Sequence, residues 1–128
     1  MTEAVERRRD VRLSTTGGPY QVSFRFQGRS VSRARLANLS ASGVGLEVQM
    51  EDARDMDPGA VLEDLFLLHP DLPCLPLRAV VVRMLGKVPG KTAGYVLAGA
   101  EFSPVTPFVK QLIRDHVEAR TGAGPGPP

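Results

Sequence analysis

Alternating apolar and polar positions run through much of the chain and predict a β-rich fold. The first alternating segment spans residues 20–26 and has the period of a half-buried strand. The apolar positions of this segment are Tyr20, Val22, Phe24 and Phe26. Residues 30–39 and 44–48 alternate in the same way, and in the latter, "VGLEV", the three large apolar residues share a face.

Three later segments complete the predicted strands. Residues 60–68 fit a strand or a helix on pattern alone, and their position between turns in a β-rich chain favours a strand. Residues 76–85 are rich in β-branched side chains, and residues 92–102 follow the turn "GKVPGK". Five or six short antiparallel strands in a chain of 128 residues are typical of a small barrel or sandwich.

One helix is predicted near the C-terminus. Thr106 suits the N-cap position, and Pro107 suits the first helical position because its missing N–H is harmless there. The stripe expected to pack against the strands consists of Val105, Phe108, Val109, Leu112, Ile113, His116 and Val117. Residues 121–128, "TGAGPGPP", are expected to form a disordered tail, which leaves residues 1–120 as a single domain.

The composition gives no indication of a membrane, metal or catalytic site. No apolar run reaches the roughly 18 residues of a membrane helix, and the charged N-terminus lacks a signal peptide's apolar segment, so we expect a cytoplasmic protein without membrane insertion. One cysteine, Cys74, and two histidines are too few for a metal cluster. Ser40 and Ser42 have no His and Asp nearby in a nucleophile arrangement, so no enzyme is predicted.

The net charge of +2 conceals an uneven distribution along the chain. Residues 1–35 hold eight arginines against three acidic residues, whereas residues 47–64 hold seven acidic residues against one arginine. One end of the fold can therefore attract an anion while the whole chain stays nearly neutral.

Two short motifs are candidates for a binding site, although each has an ordinary structural interpretation. The stretch "ERRRDVR" contains Arg8-x-x-x-Arg12, and an isolated arginine cluster is usually a solvated face. The stretch "NLSASGVGL" contains Asn38, Ser40 and Gly43 as Asn-x-Ser-x-x-Gly at a strand junction. In isolation it fits a turn in which Asn and Ser bond to nearby backbone groups and Gly43 supplies a positive φ.

Together, the two motifs and their spacing resemble the PilZ domain family. The resemblance extends to "GAEF" at residues 99–102, which precedes the predicted helix, and so covers roughly residues 6–118. It implies a six-stranded antiparallel β-barrel with a C-terminal helix. It also implies binding of the bacterial second messenger cyclic di-GMP, whose phosphates and guanine O6 and N7 atoms suit the planar arginine fork.

The resemblance assigns roles to individual residues. Arg8 and Arg12 would hold guanine and phosphate, with Arg9 extending the run, while Asn38 and Ser40 would meet a guanine edge or a phosphate. Gly43 would let the backbone turn and approach closely. A basic residue before Arg-x-x-x-Arg favours an intercalated pair of cyclic di-GMP molecules in the family, and Arg7 occupies that position.

The expected mechanism is a ligand-driven ordering of residues 1–15, a mobile arginine-rich segment, that signals to an unidentified protein effector. The protein would be a monomer or weak dimer. The alternatives are a PilZ-like interaction module that binds no nucleotide and, with less support because aromatic residues are few, a nucleic-acid-binding barrel. Arg78 and Arg83 lie five residues apart, so regular alternation puts them on opposite faces of a strand and leaves open which one lines the site.

Overall fold

The chain folds into one antiparallel β-sheet followed by a helix. A computed structural model describes residues 11–87, 90 and 93–121, and within these residues there are eight strands and one helix. The strands are β1 (Leu13–Ser14), β2 (Gln21–Phe26), β3 (Arg29–Val31), β4 (Arg35–Leu39), β5 (Gly43–Gln49), β6 (Val61–Leu68), β7 (Leu77–Leu85) and β8 (Tyr95–Phe102). The helix is α1 (Pro107–Thr121).

The expected strand number of six is wrong, since the described residues form eight strands, and the expected closure into a barrel is not confirmed. The order of hydrogen-bonded strands is β1-β4-β5-β8-β7-β6-β2-β3, so over the described residues β1 and β3 are the two edges of an eight-stranded sheet. The segment predicted as one strand at 30–39 is interrupted after Val31, because β3 forms a hairpin with β2 while β4 pairs with β1 and β5. Leu13 and Ser14, which lie in the segment expected to be mobile, add the short strand β1.

The predicted alternation accounts for most of the core. Val22, Phe24 and Phe26 of β2 are buried, as are the three apolar residues of the "VGLEV" segment in β5. Residues 60–68 contain β6, as favoured from the pattern, but its buried residues are Leu62, Leu65 and Leu67. This spacing arises from a bulge that adds one residue between Leu62 and Leu65 and gives Asp64 a positive φ of 48°.

The predicted helix is present, but one residue of its predicted apolar stripe is exposed, and Val105 and Leu112 are only partly buried. The hydroxyl of Thr106 accepts a hydrogen bond from the backbone N–H of Val109 at 3.3 Å, as an N-cap residue does. The residues buried against the sheet are Val109, Ile113, His116 and Val117. Phe108 is 72% exposed, because it precedes this i, i+4, i+7, i+8 stripe by one residue and so lies about 100° around the helix from Val109. Within the described part of the chain, no helix has the length and apolar character needed to span a membrane.

Candidate functional site

The two sequence motifs meet at the edge of the sheet. Nη1 of Arg12 donates a hydrogen bond of 2.7 Å to Oδ1 of Asn38, which is 26 positions away. The pairing of β1 with β4 places these residues together, since Ser14 lies opposite Asn38. Buried Thr15 fixes the register, because its backbone N–H bonds to the Ala37 carbonyl at 3.0 Å and its hydroxyl donates to another carbonyl of β4 at 2.6 Å.

Asn38 reaches the site because of a bulge in β4. Leu36 and Leu39 are both in the core although they are three residues apart, and the register shifts between Leu36 and Asn38. The extra residue turns Asn38 to the outer face of the sheet, the face directed away from the core, where it lies opposite Gly45 of β5. A Cβ atom on Gly45 would lie 2.4 Å from Nδ2 of Asn38, so the amide packs directly over a glycine.

Ser40 is fully buried and holds the turn between β4 and β5. Its Oγ accepts hydrogen bonds from the backbone N–H groups of Ser42 and Gly43 at 3.2 and 3.1 Å, and its own N–H donates to the Gly43 carbonyl at 2.9 Å. The structure therefore places the hydroxyl inside the turn, where it bonds to nearby backbone groups. This is the ordinary structural interpretation of the motif. A contact between Ser40 and a ligand stays a prediction.

Gly43 is required for a close approach between strands. The expectation that it supplies a positive φ is wrong, since its backbone is not in the left-handed region. A Cβ atom at this position would lie 2.2 Å from the Ala100 carbonyl oxygen of β8, so no other residue fits without moving the backbone. Gly43 thus acts through the packing of β5 on β8.

A shallow cavity lies on the outer face beside the Arg12–Asn38 pair. Gly45 of β5 lies directly opposite Gly99 of β8. The Asn38 amide covers Gly45, so the bare floor of this cavity, whose volume is about 260 Å³, lies at Gly99. Above Gly99 the space is open, since an added Cβ would meet only the Cβ of Arg83 within 4 Å, at 3.8 Å.

The polar wall of the cavity carries two guanidinium groups and a carboxylate. Arg12 and Asn38 line it on one side, Arg83 on the other, and Glu101 belongs to the same lining. The rest of the wall is apolar and includes Val82, Leu85 and Leu97. Two planar cations above a bare glycine floor can hold a flat anionic ligand by hydrogen bonding and stacking.

The structure distinguishes the two arginines that the sequence left open. The expectation that Arg78 and Arg83 lie on opposite faces of β7 is wrong, because a bulge shifts the register between Val81 and Arg83. The bulge places Arg83 opposite Gly99 on the outer face. Arg78 lines a different cavity, of about 400 Å³, together with the carboxylates of Asp55, Asp57 and Glu63.

Sequence reasoning left Arg83 undecided and missed Gly99 and Glu101 as members of the site. Gly99 and Glu101 were noticed only as parts of a family motif. The signal that could have identified them is the alternation in β8, where Ala98 and Ala100 are buried and the intervening residues face outward.

Much of the basic charge predicted to attract an anion is neutralised within the fold. Arg33 pairs with Glu51 at 2.6 Å and with Asp52 at 3.2 Å, and Arg35 pairs with Glu47 at 3.1 Å. The hydrogen bond from Arg33 lowers the pKa of Glu51, and the same contact with Glu51 raises the pKa of Arg33. Among the described residues, the positive charge of the candidate site therefore comes from Arg12 and Arg83. Arg7, Arg8 and Arg9 lie outside the described residues.

A sequence profile of the PilZ domain matches residues 6–119, from the arginine run to the last turn of α1. The chain belongs to the PilZ domain family. Comparison with curated proteins gives no significant match. Among the described residues of this PilZ domain, no group of three or more His, Cys, Asp or Glu side chains is placed to hold a metal ion.

Solved structures share the fold of this PilZ domain at low sequence identity. The PilZ domain of YcgR from Escherichia coli, solved with c-di-GMP, has a TM-score of 0.68 and 19% identity, and the match covers 91% of this chain and 97% of that one. The K. pneumonia MrkH–c-di-GMP complex has a TM-score of 0.65 and 12% identity, with 90% of this chain and 53% of MrkH covered. The Bacillus subtilis inhibitor of motility, MotI, has a TM-score of 0.64 and 19% identity, with 90% and 51% covered. The PilZ domain described here thus spans about half the length of MrkH and MotI.

Proposed function

We propose that this PilZ domain is a receptor for cyclic di-GMP that signals to a protein partner in the cytoplasm. The observation that carries the proposal is the hydrogen bond from Arg12 to Asn38, because it joins the arginine motif to the Asn-x-Ser-x-x-Gly motif beside a cavity. The PilZ domain of YcgR and the MrkH structure, both solved with c-di-GMP, give further support.

The chemistry of the cavity suits part of this ligand. Cyclic di-GMP has two phosphodiester charges and two flat purines, and an arginine can donate bidentately to a phosphate or to guanine O6 and N7. Arg12 uses one of its five N–H donors on Asn38, which leaves the others for the ligand. A cavity of about 260 Å³ is smaller than typical small-molecule sites of roughly 300–1,000 Å³, so we expect it to take one base and its phosphate.

The arginine run preceding β1 supplies the remaining contacts in this proposal. Arg8 binds guanine or phosphate together with Arg12, and Arg9 adds positive charge. Arg7 favours an intercalated pair of ligand molecules, so we expect two molecules to bind each protein chain. The four phosphate charges of such a pair offset the repulsion among the arginines, so that the segment folds over the cavity and presents a new surface to the effector. The receptor itself acts as a monomer or weak dimer and catalyses no reaction.

Calorimetric titration with cyclic di-GMP tests this function. Wild-type protein should bind two equivalents, and Arg8→Ala and Arg12→Ala should each weaken binding by about 5- to 150-fold, since a bidentate pair contributes roughly 1–3 kcal/mol. Arg78→Ala is the matched control, because Arg78 is an exposed arginine in a different cavity and should leave affinity unchanged.

Each other outcome points to a different conclusion. Saturation at one equivalent would remove the intercalated pair and the role of Arg7. The absence of binding at high ligand concentration would instead favour an interaction module that recognises a partner without nucleotide. Salt-dependent binding to unrelated oligonucleotides would favour a nucleic-acid-binding barrel.

A further inference from the structure

Glu101 brings a negative charge into a site that otherwise suits an anion. It lies at the outer-face position of β8 between Gly43 of β5 and Val80 of β7, and it lines the cavity with Arg12 and Arg83. Among the described lining residues it is the one acidic side chain, and within the described residues it takes part in no ion pair. Its carboxylate is therefore available to a ligand.

An ionised carboxylate accepts hydrogen bonds and donates none, and its negative charge repels phosphate. Its favourable contacts with a ligand must therefore be to hydrogen-bond donors. Guanine supplies such donors, because N1–H and the N2 amino group lie side by side on its Watson–Crick edge and match the two oxygens of a carboxylate. Adenine has a lone pair at N1, so it offers a carboxylate one donor and one repulsive contact. Arginine, by contrast, recognises the O6 and N7 edge of guanine.

Other acceptors near the floor are less available. Oδ1 of Asn38 already accepts the hydrogen bond from Arg12, and the Ser40 hydroxyl lies within its turn. Glu101 is two residues from Gly99 on the same face, a separation of about 7 Å along a strand. A purine lying on the bare floor at Gly99 would thus have Arg83 opposite the same glycine and Glu101 at its edge.

We infer that Glu101 determines base specificity: its carboxylate accepts hydrogen bonds from N1–H and N2–H of one guanine, and the site therefore selects guanine over adenine cyclic dinucleotides. This inference rests on the proposed function, since it assumes that a cyclic dinucleotide occupies the cavity.

The test compares cyclic di-GMP and cyclic di-AMP as ligands of wild-type protein and Glu101→Gln. The glutamine keeps one acceptor and replaces the other by an NH₂ donor, so affinity for cyclic di-GMP should fall by roughly 10- to 100-fold. Affinity for cyclic di-AMP should be unchanged or higher. The preference of the protein for cyclic di-GMP over cyclic di-AMP should therefore decrease. Glu63→Gln is the control, because it removes the same charge from an exposed position in the other cavity. It should change neither affinity.

Results that contradict the inference about Glu101 can be distinguished from a result that contradicts the proposed function. If Glu101→Gln binds cyclic di-GMP as tightly as wild type, or more tightly, the carboxylate does not read the base and the inference is overturned. If Glu101→Gln loses both ligands equally and also unfolds at a lower temperature, its role is structural and the inference fails again. If wild-type protein binds neither ligand, the proposed function itself is wrong.

Discussion

At the scale of single residues, Ser40 illustrates how a family motif can act through the backbone. Its hydroxyl is completely buried and accepts hydrogen bonds from two N–H groups, so the residue shapes the turn that follows Asn38. A hydroxyl used in this way stabilises the protein whether or not a ligand is present. The role of Ser40 can therefore be separated from ligand binding by measuring stability alone.

We predict that Ser40→Ala destabilises the ligand-free protein. The substitution leaves two backbone N–H groups without their acceptor in a buried turn, which costs about 1–3 kcal/mol. Thermal unfolding without ligand should show a melting temperature lower by roughly 5 °C. Ser32→Ala, at an exposed position, should have no effect. A normal melting temperature with weakened ligand binding would instead assign Ser40 a direct contact with the ligand.

At the scale of elements, bulges explain which parts of the site the sequence could predict. The alternation in β2 and β5 is regular, and it correctly identified their buried residues. Bulges in β4 and β7 each insert one residue, and they turn Asn38 and Arg83 to the outer face. No alternation pattern reveals such a shift, because the extra residue is set by pairing with a neighbouring strand. The strand β1 has only two residues and is likewise defined by its pairing with β4, so no alternation pattern predicts it.

A side chain added at Gly99 of β8 should affect ligand binding, whereas one added at Gly43 of β5 should affect stability. Gly99→Val should abolish detectable ligand binding, or weaken it by at least about 10-fold, because its side chain fills the open space above the floor. Its melting temperature should not fall, since valine is favoured in strands and the added Cβ has only an ordinary contact at 3.8 Å.

Gly43→Ala is the contrasting variant. Its Cβ would collide with a backbone carbonyl oxygen of β8, so this protein should unfold at a lower temperature even without ligand. Calorimetry and thermal unfolding of both variants check the pair. Normal ligand binding by Gly99→Val would place the base away from the glycine floor.

At the scale of the whole molecule, a polar cluster attaches α1 to the sheet. Its residues are different from those of the candidate site. The Tyr20 hydroxyl and Nε2 of His116 are 2.7 Å apart, the rings of Tyr20 and His69 stack at 4.4 Å, and those of His69 and His116 meet edge to face. Arg120 of α1 adds an ion pair of 2.6 Å with Asp71. The cluster thus connects the start of β2, the loop after β6 and the helix.

This cluster should make the stability of the fold depend on pH. The pKa of His116 is lowered from 6.5 to about 4, chiefly by burial and also by the positive charge of Arg120 and by the neighbouring His69, while Asp71 acts in the opposite direction. Between these two values the unfolded chain binds a proton that the folded chain does not. The stabilisation from neutral His116 is therefore complete above pH 6.5 and is lost progressively as the pH falls towards 4.

We predict that the free energy of unfolding, measured by urea denaturation, decreases by roughly 2–3 kcal/mol from this group between pH 6.5 and pH 4. Carboxylates also titrate near the lower limit, so the quantity to compare is the difference between wild type and His116→Gln, which cannot gain this proton. That difference should shrink as the pH falls, because acidification removes the advantage of the neutral histidine. Tyr20→Phe keeps the titrating ring and should keep most of the wild-type pH dependence. A difference between wild type and His116→Gln that stays constant from pH 6.5 to pH 4 would mean that His116 is not held neutral by its place in the fold.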